Sequence, residues 1–262
     1  MPRPLPSRSP VQTFRSARVC AAILFALALA AAFAVQVSTA GVPPPWTNAD
    51  VGAVALPGTA EFADGTFTIQ AAGADIWGTS DSFNYTSQPV GSDIQLTARI
   101  VRLQNTNTFA KAGVMLRASL ASDAAHVILD VRPDGSLEFM TRVAPGGATT
   151  FIGGGHVAFP AWLRLAQSGS TISAWSSADG TAWTFVAAAT NSGVTGRAGL
   201  AVTSHTSSTP TQAVFDGVSV SSVVSPPVAP STPSAPSPAA TAVSIAPSPV
   251  LTSADNPARV RP

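Results

Sequence analysis

The amino-acid sequence predicts an all-β protein built as a sandwich of two antiparallel sheets. Residues 46–220 contain about a dozen short segments in which apolar and polar residues alternate, the period of a half-buried strand. Turn residues such as Pro133-Asp134-Gly135 separate these segments at intervals of about 8–12 residues. No amphipathic helix of three turns follows residue 40. Many short strands with frequent turns are typical of a β-sandwich.

The first 40 residues predict an N-terminal signal helix that directs export. Four arginines precede an apolar stretch at 19–35, and Ser38-Thr39-Ala40 offers small residues for cleavage. The stretch of 17 residues lies at the short limit for a membrane span, about 17–25 residues. Either a cleaved signal peptide or a retained signal anchor is therefore possible. In both cases we expect a secreted or extracellular protein that contacts a membrane only through an uncleaved leader.

Composition divides the rest of the chain into a module at 46–221 and a tail at 225–262. The tail holds ten prolines among small residues, so we expect a disordered, extended spacer. The single cysteine, Cys20, lies in the leader, so the mature chain has no disulfide. Without the four leader arginines, the chain has ten basic and thirteen acidic residues, which gives a net charge of −3. This balance argues against a nucleic-acid partner, and we expect a monomer.

Alternation along the central strands predicts which side chains face the core. Val127, Leu129 and Val131 share one face of a strand, and Leu137 and Phe139 share one face of its hairpin partner. The same reasoning places Val114, Leu116, Leu163 and Leu165 inward. Residues at the intervening positions of each strand then point away from the core.

Several stretches of the module resemble the concanavalin A-like jelly-roll domain of secreted bacterial proteins, including the domain of unknown function called "regulation of enolase protein 1". The matching stretches are spread over 46–220: Pro45-Trp46-Thr47, Ala74-Asp75-Ile76-Trp77-Gly78, 105–117, 162–165, 177–183, 199–205 and Phe215-Asp216-Gly217-Val218. The resemblance implies a jelly-roll sandwich similar in fold to carbohydrate-binding modules. A shared fold does not by itself imply a shared ligand.

Arginines with neighbouring aromatic residues suggest a ligand surface on the outward positions. Guanidinium groups bind sugar hydroxyls, and flat aromatic rings stack on pyranose faces. The candidate saccharide-binding residues are Arg117, Asp130, Arg132, Arg142, Trp162 and Arg164. The alternative is a polar outer face held by cross-strand ion pairs. We interpret Trp183 as structural, because it follows the turn Ser177-Ala178-Asp179-Gly180, and we expect Trp77 in the core or at a sheet edge.

The resemblance also raises the possibility of one structural Ca²⁺, since jelly-roll modules often hold such an ion through carboxylates. The candidate ligands are Asp75 and Asp216, with Asp81 and Asp93 also available. No contiguous calcium loop is present, and the three histidines lack the close spacing of a zinc site. We expect no other cofactor.

Carboxylates for catalysis are scarce. Retaining glycosidases need two carboxyl groups about 5–5.5 Å apart, but residues 46–220 contain only two glutamates, Glu61 and Glu138. Asp130 and Glu138, predicted to oppose each other across a hairpin, form the only pair of interest. The sequence therefore predicts a non-catalytic, lectin-like module for a poly- or oligosaccharide. A structural, adhesion or spacer module is the alternative, and a glycoside hydrolase is a third.

Overall fold

The computed structural model describes residues 41–223 and confirms the all-β prediction. The predicted leader at 1–40 and the predicted tail at 225–262 lie outside the described residues. The described residues form fourteen strands and no helix, so no helix among them could cross a membrane. In chain order the strands are β1 (Thr47–Val51), β2 (Thr59–Ala63), β3 (Thr66–Gly73), β4 (Phe83–Pro89), β5 (Ile94–Leu103), β6 (Lys111–Arg117), β7 (His126–Val131), β8 (Ser136–Arg142), β9 (Thr150–His156), β10 (Ala161–Ser168), β11 (Thr171–Ser177), β12 (Thr184–Thr190), β13 (Arg197–Thr203) and β14 (Thr206–Ser222).

The strands form two seven-stranded antiparallel sheets. Sheet A has the order β1-β4-β13-β6-β7-β8-β9, and sheet B has the order β12-β11-β10-β5-β14-β3-β2. Many spatial neighbours are distant in the chain: β13 lies between β4 and β6, and β14 lies between β5 and β3. The chain therefore crosses repeatedly between the sheets, as in a jelly roll.

Apolar residues from the inner faces of the two sheets form the main core. Val127, Leu129 and Val131 have no exposed surface, and Leu163 and Leu165 of sheet B are equally buried. The predicted alternation of inward and outward positions is confirmed for these strands. Burial of each such side chain stabilises the fold by about 1.5–3 kcal/mol relative to exposure.

The hairpin of β7 and β8 is closed by the predicted turn. The backbone N–H of Arg132 donates to the carbonyl of Ser136 at 2.9 Å. In the resulting register Asp130 lies directly opposite Glu138, so the predicted juxtaposition of these two carboxyl groups is confirmed. Both side chains belong to the outer face of sheet A, opposite the main core.

Candidate functional site

The segment that joins β3 to β4, residues 74–82, covers part of the outer face of sheet A. Ile76 of this segment packs in a second apolar cluster in which every side chain is at most 1% exposed. The other members of the cluster are Val51, Phe83, Tyr85, Met115, Ile128, Met140 and Ala201. The outer face of sheet A is therefore a second, smaller core in its central part.

Asp81 anchors the covering segment to the strands beneath it. Its carboxylate accepts hydrogen bonds from Arg142 at 2.7 Å through both oxygens and from Arg117 at 2.6 Å. All three side chains are completely buried. Further donors of the two guanidinium groups reach backbone carbonyls: Arg142 donates to Gly78 at 3.2 Å, and Arg117 donates to Ser119 at 2.9 Å. Nε of Arg142 is buried without a hydrogen-bond partner among residues 41–223. These contacts fix both the 74–82 segment and the loop after β6.

His126 completes this buried cluster as a neutral side chain. Its Nδ1 lies 3.3 Å from Nη1 of Arg117 and 3.6 Å from the Asp81 carboxylate. Burial, reinforced by the charges of Arg117 and Arg142, lowers the pKa of His126 well below its ordinary value. Burial also lowers the pKa of Arg117, while Asp81 opposes that shift. The cluster contains two arginines and one aspartate, and the carbonyl contacts offset the excess positive charge.

A pocket of about 350 Å³ lies on the outer face of sheet A beside the covering segment. Three large aromatic side chains line it, and each is about half exposed: Trp77 at 46%, Phe109 at 45% and Phe151 at 52%. The other lining residues are Asp75, Lys111, Arg132, Glu138, Met140 and His205. The volume falls in the usual range for small-molecule sites, about 300–1,000 Å³.

Charged groups in the pocket are paired with one another. Nζ of Lys111 donates to Asp75 at 2.6 Å, and Arg132 makes a two-point contact with Glu138 through Nε, at 2.9 Å, and Nη2. The Arg132 guanidinium also lies 4.7 Å from the ring centroid of Phe109. Pairing leaves spare lone pairs on the two carboxylates. The pocket can therefore accept hydrogen bonds from hydroxyl groups without carrying a large net charge.

His205 also contacts the ring of Phe109. Its imidazole centroid lies 5.2 Å from that of Phe109, and its Nδ1 lies 3.5 Å from the carboxylate of Asp75. Phe109 thus contacts both His205 and Arg132, while 45% of its surface remains exposed. This arrangement fixes the ring as a preformed contact surface.

Asp130 lies next to the pocket on the outer face but has no exposed surface. Neither carboxyl oxygen has a hydrogen-bond partner among residues 41–223. Burial raises the pKa of Asp130 well above its ordinary value, an effect opposed by Lys111 and reinforced by Glu138. The group is therefore held neutral more readily than an exposed aspartate.

The structure separates the six predicted ligand-binding residues. Arg117, Asp130 and Arg142 have no exposed surface. Residues 74–82 contact both arginines, and the loop after β6 contacts Arg117. The prediction that all six side chains line one exposed surface is therefore wrong. Arg132 lines the pocket on sheet A. Trp162 and Arg164 lie on β10 of sheet B.

Trp162 is packed rather than open. A Cβ atom at Gly217 would lie 2.4 Å from its ring, and a Cβ atom at Gly180 would lie 2.8 Å from it. The guanidinium of Arg99 lies 5.6 Å from the ring centroid. Both glycines therefore permit close contact with the indole, which occupies the space that side chains would fill.

The predicted calcium ligands belong to the outer faces of different sheets. Asp75 pairs with Lys111 beside sheet A, whereas Asp216 pairs with Arg99 on sheet B. Asp81 binds the two buried arginines, and Asp93 accepts a hydrogen bond from the backbone N–H of Gly169 at 2.7 Å. Within residues 41–223, no three or more His, Cys, Asp or Glu side chains are grouped as a metal site.

Sequence reasoning missed most of the pocket. The sequence predicts Trp77 in the core or at a sheet edge, whereas the structure places it in the 74–82 segment with 46% of its surface exposed. Its neighbour Ile76 is the buried residue, so the alternation in Asp75-Ile76-Trp77 carried the relevant signal. Phe109, Phe151 and His205 come from three separate connections and strands, and no local pattern joins them.

Comparison with known proteins supports the fold. No family model matches the chain, and no curated protein matches its sequence. A functionally unknown protein from Saccharomyces cerevisiae is similar in structure with a TM-score of 0.52 at 15% identity, covering 68% of this chain and 95% of that one.

Two further solved structures are similar at lower TM-scores. Carbohydrate-binding module CBM66 from Bacillus subtilis aligns with a TM-score of 0.40 at 18% identity, covering 71% of this chain and 98% of that one. A prokaryotic β-1,3-1,4-glucanase from a mouse hindgut metagenome aligns with a TM-score of 0.44 at 11% identity, covering 65% of this chain and 90% of that one.

Proposed function

We propose that this protein is a secreted, non-catalytic module that binds a saccharide in the pocket on the outer face of sheet A. The observation that carries the proposal is the group of three half-exposed aromatic rings, Trp77, Phe109 and Phe151, around one pocket. Exposed aromatic rings that converge on a cavity are the groups that stack on the apolar faces of sugar rings.

The charges of the pocket favour a neutral sugar. Lys111 and Arg132 already bind Asp75 and Glu138, so neither cation requires an anionic ligand. The paired carboxylates keep free lone pairs for sugar hydroxyls, and the arginine fork is held in place. Specificity would then depend on the direction of hydroxyl groups around the stacked ring.

The carboxyl groups support binding better than hydrolysis. Asp130 and Glu138 oppose each other in register, but Asp130 has no exposed surface and could not reach a glycosidic oxygen. Arg132 occupies both oxygens of Glu138. Glycoside hydrolysis requires two carboxyl groups that both reach the scissile bond or its attacking water.

The proposal is tested by binding measurements on the full chain and on a Trp77→Ala variant. A glycan array would first identify a neutral oligosaccharide, and titration calorimetry would then measure its affinity. We expect Trp77→Ala to weaken binding at least tenfold. Leu56→Ala is the matched control, because Leu56 is 40% exposed and does not line the pocket.

Two results would contradict the proposal. One is the absence of binding to any neutral glycan on the array, which would favour the structural or adhesion module. The other is a bound glycan whose affinity is unchanged in Trp77→Ala while the thermal midpoint of the variant is also unchanged. Release of reducing ends from a bound polymer would instead identify a hydrolase.

A further inference from the structure

Sheet B carries two arginine–tryptophan stacks on its outer face. The guanidinium of Arg99, on β5, lies 5.6 Å from the ring centroid of Trp162. The guanidinium of Arg164, on the neighbouring β10, lies 3.6 Å from that of Trp183. Both distances are within the range of a cation–π contact, about 6 Å. The same local arrangement thus occurs twice on one surface.

The two stacks differ in whether the arginine also binds an acidic side chain. Arg99 binds Asp216 through Nε and Nη2, with Nε at 2.6 Å from the carboxylate. Arg164 has no acidic partner among residues 41–223, and its hydrogen bond is a 3.4 Å contact from Nε to Thr97. Burial lowers the pKa of Arg164, so its charge is partly desolvated without a carboxylate to compensate it.

Aromatic side chains extend from Arg164 across the sheet. Trp175 on β11 lies directly opposite Arg164, and Phe185 on β12 lies opposite Trp175. The two rings are in contact, with centroids 6.0 Å apart, and Phe185 is 58% exposed. This row covers two strand spacings, about 10 Å.

We propose that Arg164, Trp175 and Phe185 form a second binding site, for the carboxylate and ring of an acidic saccharide. The ligand carboxylate binds the terminal nitrogens of Arg164, whose Nε contacts Thr97. Trp183 orients the guanidinium, and the half-buried ring of Trp175 and the exposed ring of Phe185 stack on the sugar. The site is on sheet B and does not depend on the pocket of sheet A.

An acidic sugar suits this surface better than an acidic peptide. Peptides that bind sheets usually add a strand to an open edge. Phe185 lies on the edge strand β12, but Arg164 and Trp175 lie on β10 and β11, which are each paired on both sides. Their backbone groups are therefore already used. The remaining contacts are a planar cation and flat rings, which match the carboxylate and the C–H face of a uronic acid residue.

The test uses titration of the full chain with an oligogalacturonate and with its methyl ester, which keeps the rings and removes the charge. We expect wild type to bind the acid at least tenfold more tightly than the ester. Arg164→Gln should lose this preference for the acid, and Phe185→Ala should weaken the binding of both the acid and the ester. Arg102→Gln is the matched control, because it removes an exposed arginine from the same sheet.

Each result decides the proposal. Equal losses of affinity for oligogalacturonate in Arg164→Gln and Arg102→Gln would show only a general effect of positive charge and would overturn the proposal. Failure of the wild type to bind oligogalacturonate would also overturn it. Polyglutamate binding as tight as oligogalacturonate would also overturn the saccharide assignment. If Arg164→Gln does not fold, the affinity of Phe185→Ala for the two ligands still tests the proposal, because unchanged affinity in this variant would overturn it. Retained oligogalacturonate binding in Trp77→Ala would show that the two sites are independent.

Discussion

Arg142 and Asp81 form a two-point ion pair with both N–O distances at 2.7 Å and no exposure of either side chain. The two residues are 61 positions apart. Their contact joins β8 to the segment that carries Trp77, and Nη2 of Arg142 also lies 3.2 Å from the carbonyl of Gly78. The position of the pocket rim therefore depends on a charge pair beneath it.

Replacement of Asp81 should strongly destabilise the fold. Asp81→Asn would leave Arg117 and Arg142 buried without a carboxylate. Removal of one partner from a buried ion pair typically costs about 3–5 kcal/mol. Urea denaturation would measure the loss, and Asp64→Asn, at an exposed turn, should change stability by less than about 0.5 kcal/mol. Equal stability of the two variants would contradict a structural role for Asp81.

Asp130 should make the protein less stable as pH rises. Its folded pKa is raised by burial, whereas the unfolded chain titrates near its ordinary value of about 3.9. Above that pH the unfolded state releases a proton that the folded state retains. Stability therefore falls as pH rises toward the folded pKa, by about 1.4 kcal/mol for each unit of elevation.

Asp130→Asn removes this titration. Denaturation in urea at a series of pH values should show a smaller decline for Asp130→Asn than for wild type. Val143→Ala, which replaces an exposed side chain, serves as a control that leaves the titrating groups in place. Parallel pH profiles for wild type and Asp130→Asn would contradict the prediction.

His126 should act in the opposite direction. Burial and the two neighbouring arginines lower its pKa in the folded state, and the unfolded value is about 6.5. Below that pH the unfolded chain gains a proton that the folded chain does not bind, so stability is lost as pH falls. His126→Asn should flatten the profile between about pH 6.5 and 5, measured by thermal denaturation. A steeper loss in the variant would refute this assignment.

Gly217 should be intolerant of a side chain because of Trp162. Its φ is +55°, and a Cβ would lie 2.4 Å from the indole. Gly65 has a similar φ of +78° with open space around it. Gly65→Ala therefore measures backbone strain alone, about 1–2 kcal/mol. Gly217→Ala should lower the free energy of unfolding by about 1–3 kcal/mol more than Gly65→Ala does, because the added methyl group overpacks the contact with Trp162. Equal urea midpoints for the two variants would contradict the close contact.

Chelation should leave the stability of the protein unchanged. Asp75 and Asp216 each have a cationic partner, Lys111 and Arg99, so neither carboxylate needs Ca²⁺ to compensate its charge. The thermal midpoint with EDTA should equal the midpoint with added Ca²⁺. A rise of several degrees with Ca²⁺ would instead support the calcium site that the sequence suggested.

The strands and their inward faces were predictable because they depend on local alternation. Val127, Leu129 and Val131 are buried as expected, and the turn after Arg132 set the register that opposes Asp130 to Glu138. Both features arise within about twenty residues of sequence. Period-two patterns specify which side of a strand faces the core.

Exposure of the outward positions was not predictable in the same way. Arg142 is outward, yet it is buried because Asp81 and the segment around it lie on top of it. Alternation tells which face a side chain occupies and not what covers that face. Trp77 shows the converse case, since a large aromatic in an apolar stretch became half exposed next to the buried Ile76.

Burial of the Asp81 cluster has a consequence for how the two proposed sites respond to salt. Dissolved ions screen exposed charges over about 10 Å at 0.1 M but affect buried pairs far less. At the proposed acidic-saccharide site, concentrated sodium chloride should therefore weaken the contact between Arg164 and a ligand carboxylate. The pocket rim held by Arg142 and Asp81 should keep its geometry at the same salt concentration, so affinity at the proposed neutral-sugar site should depend little on salt.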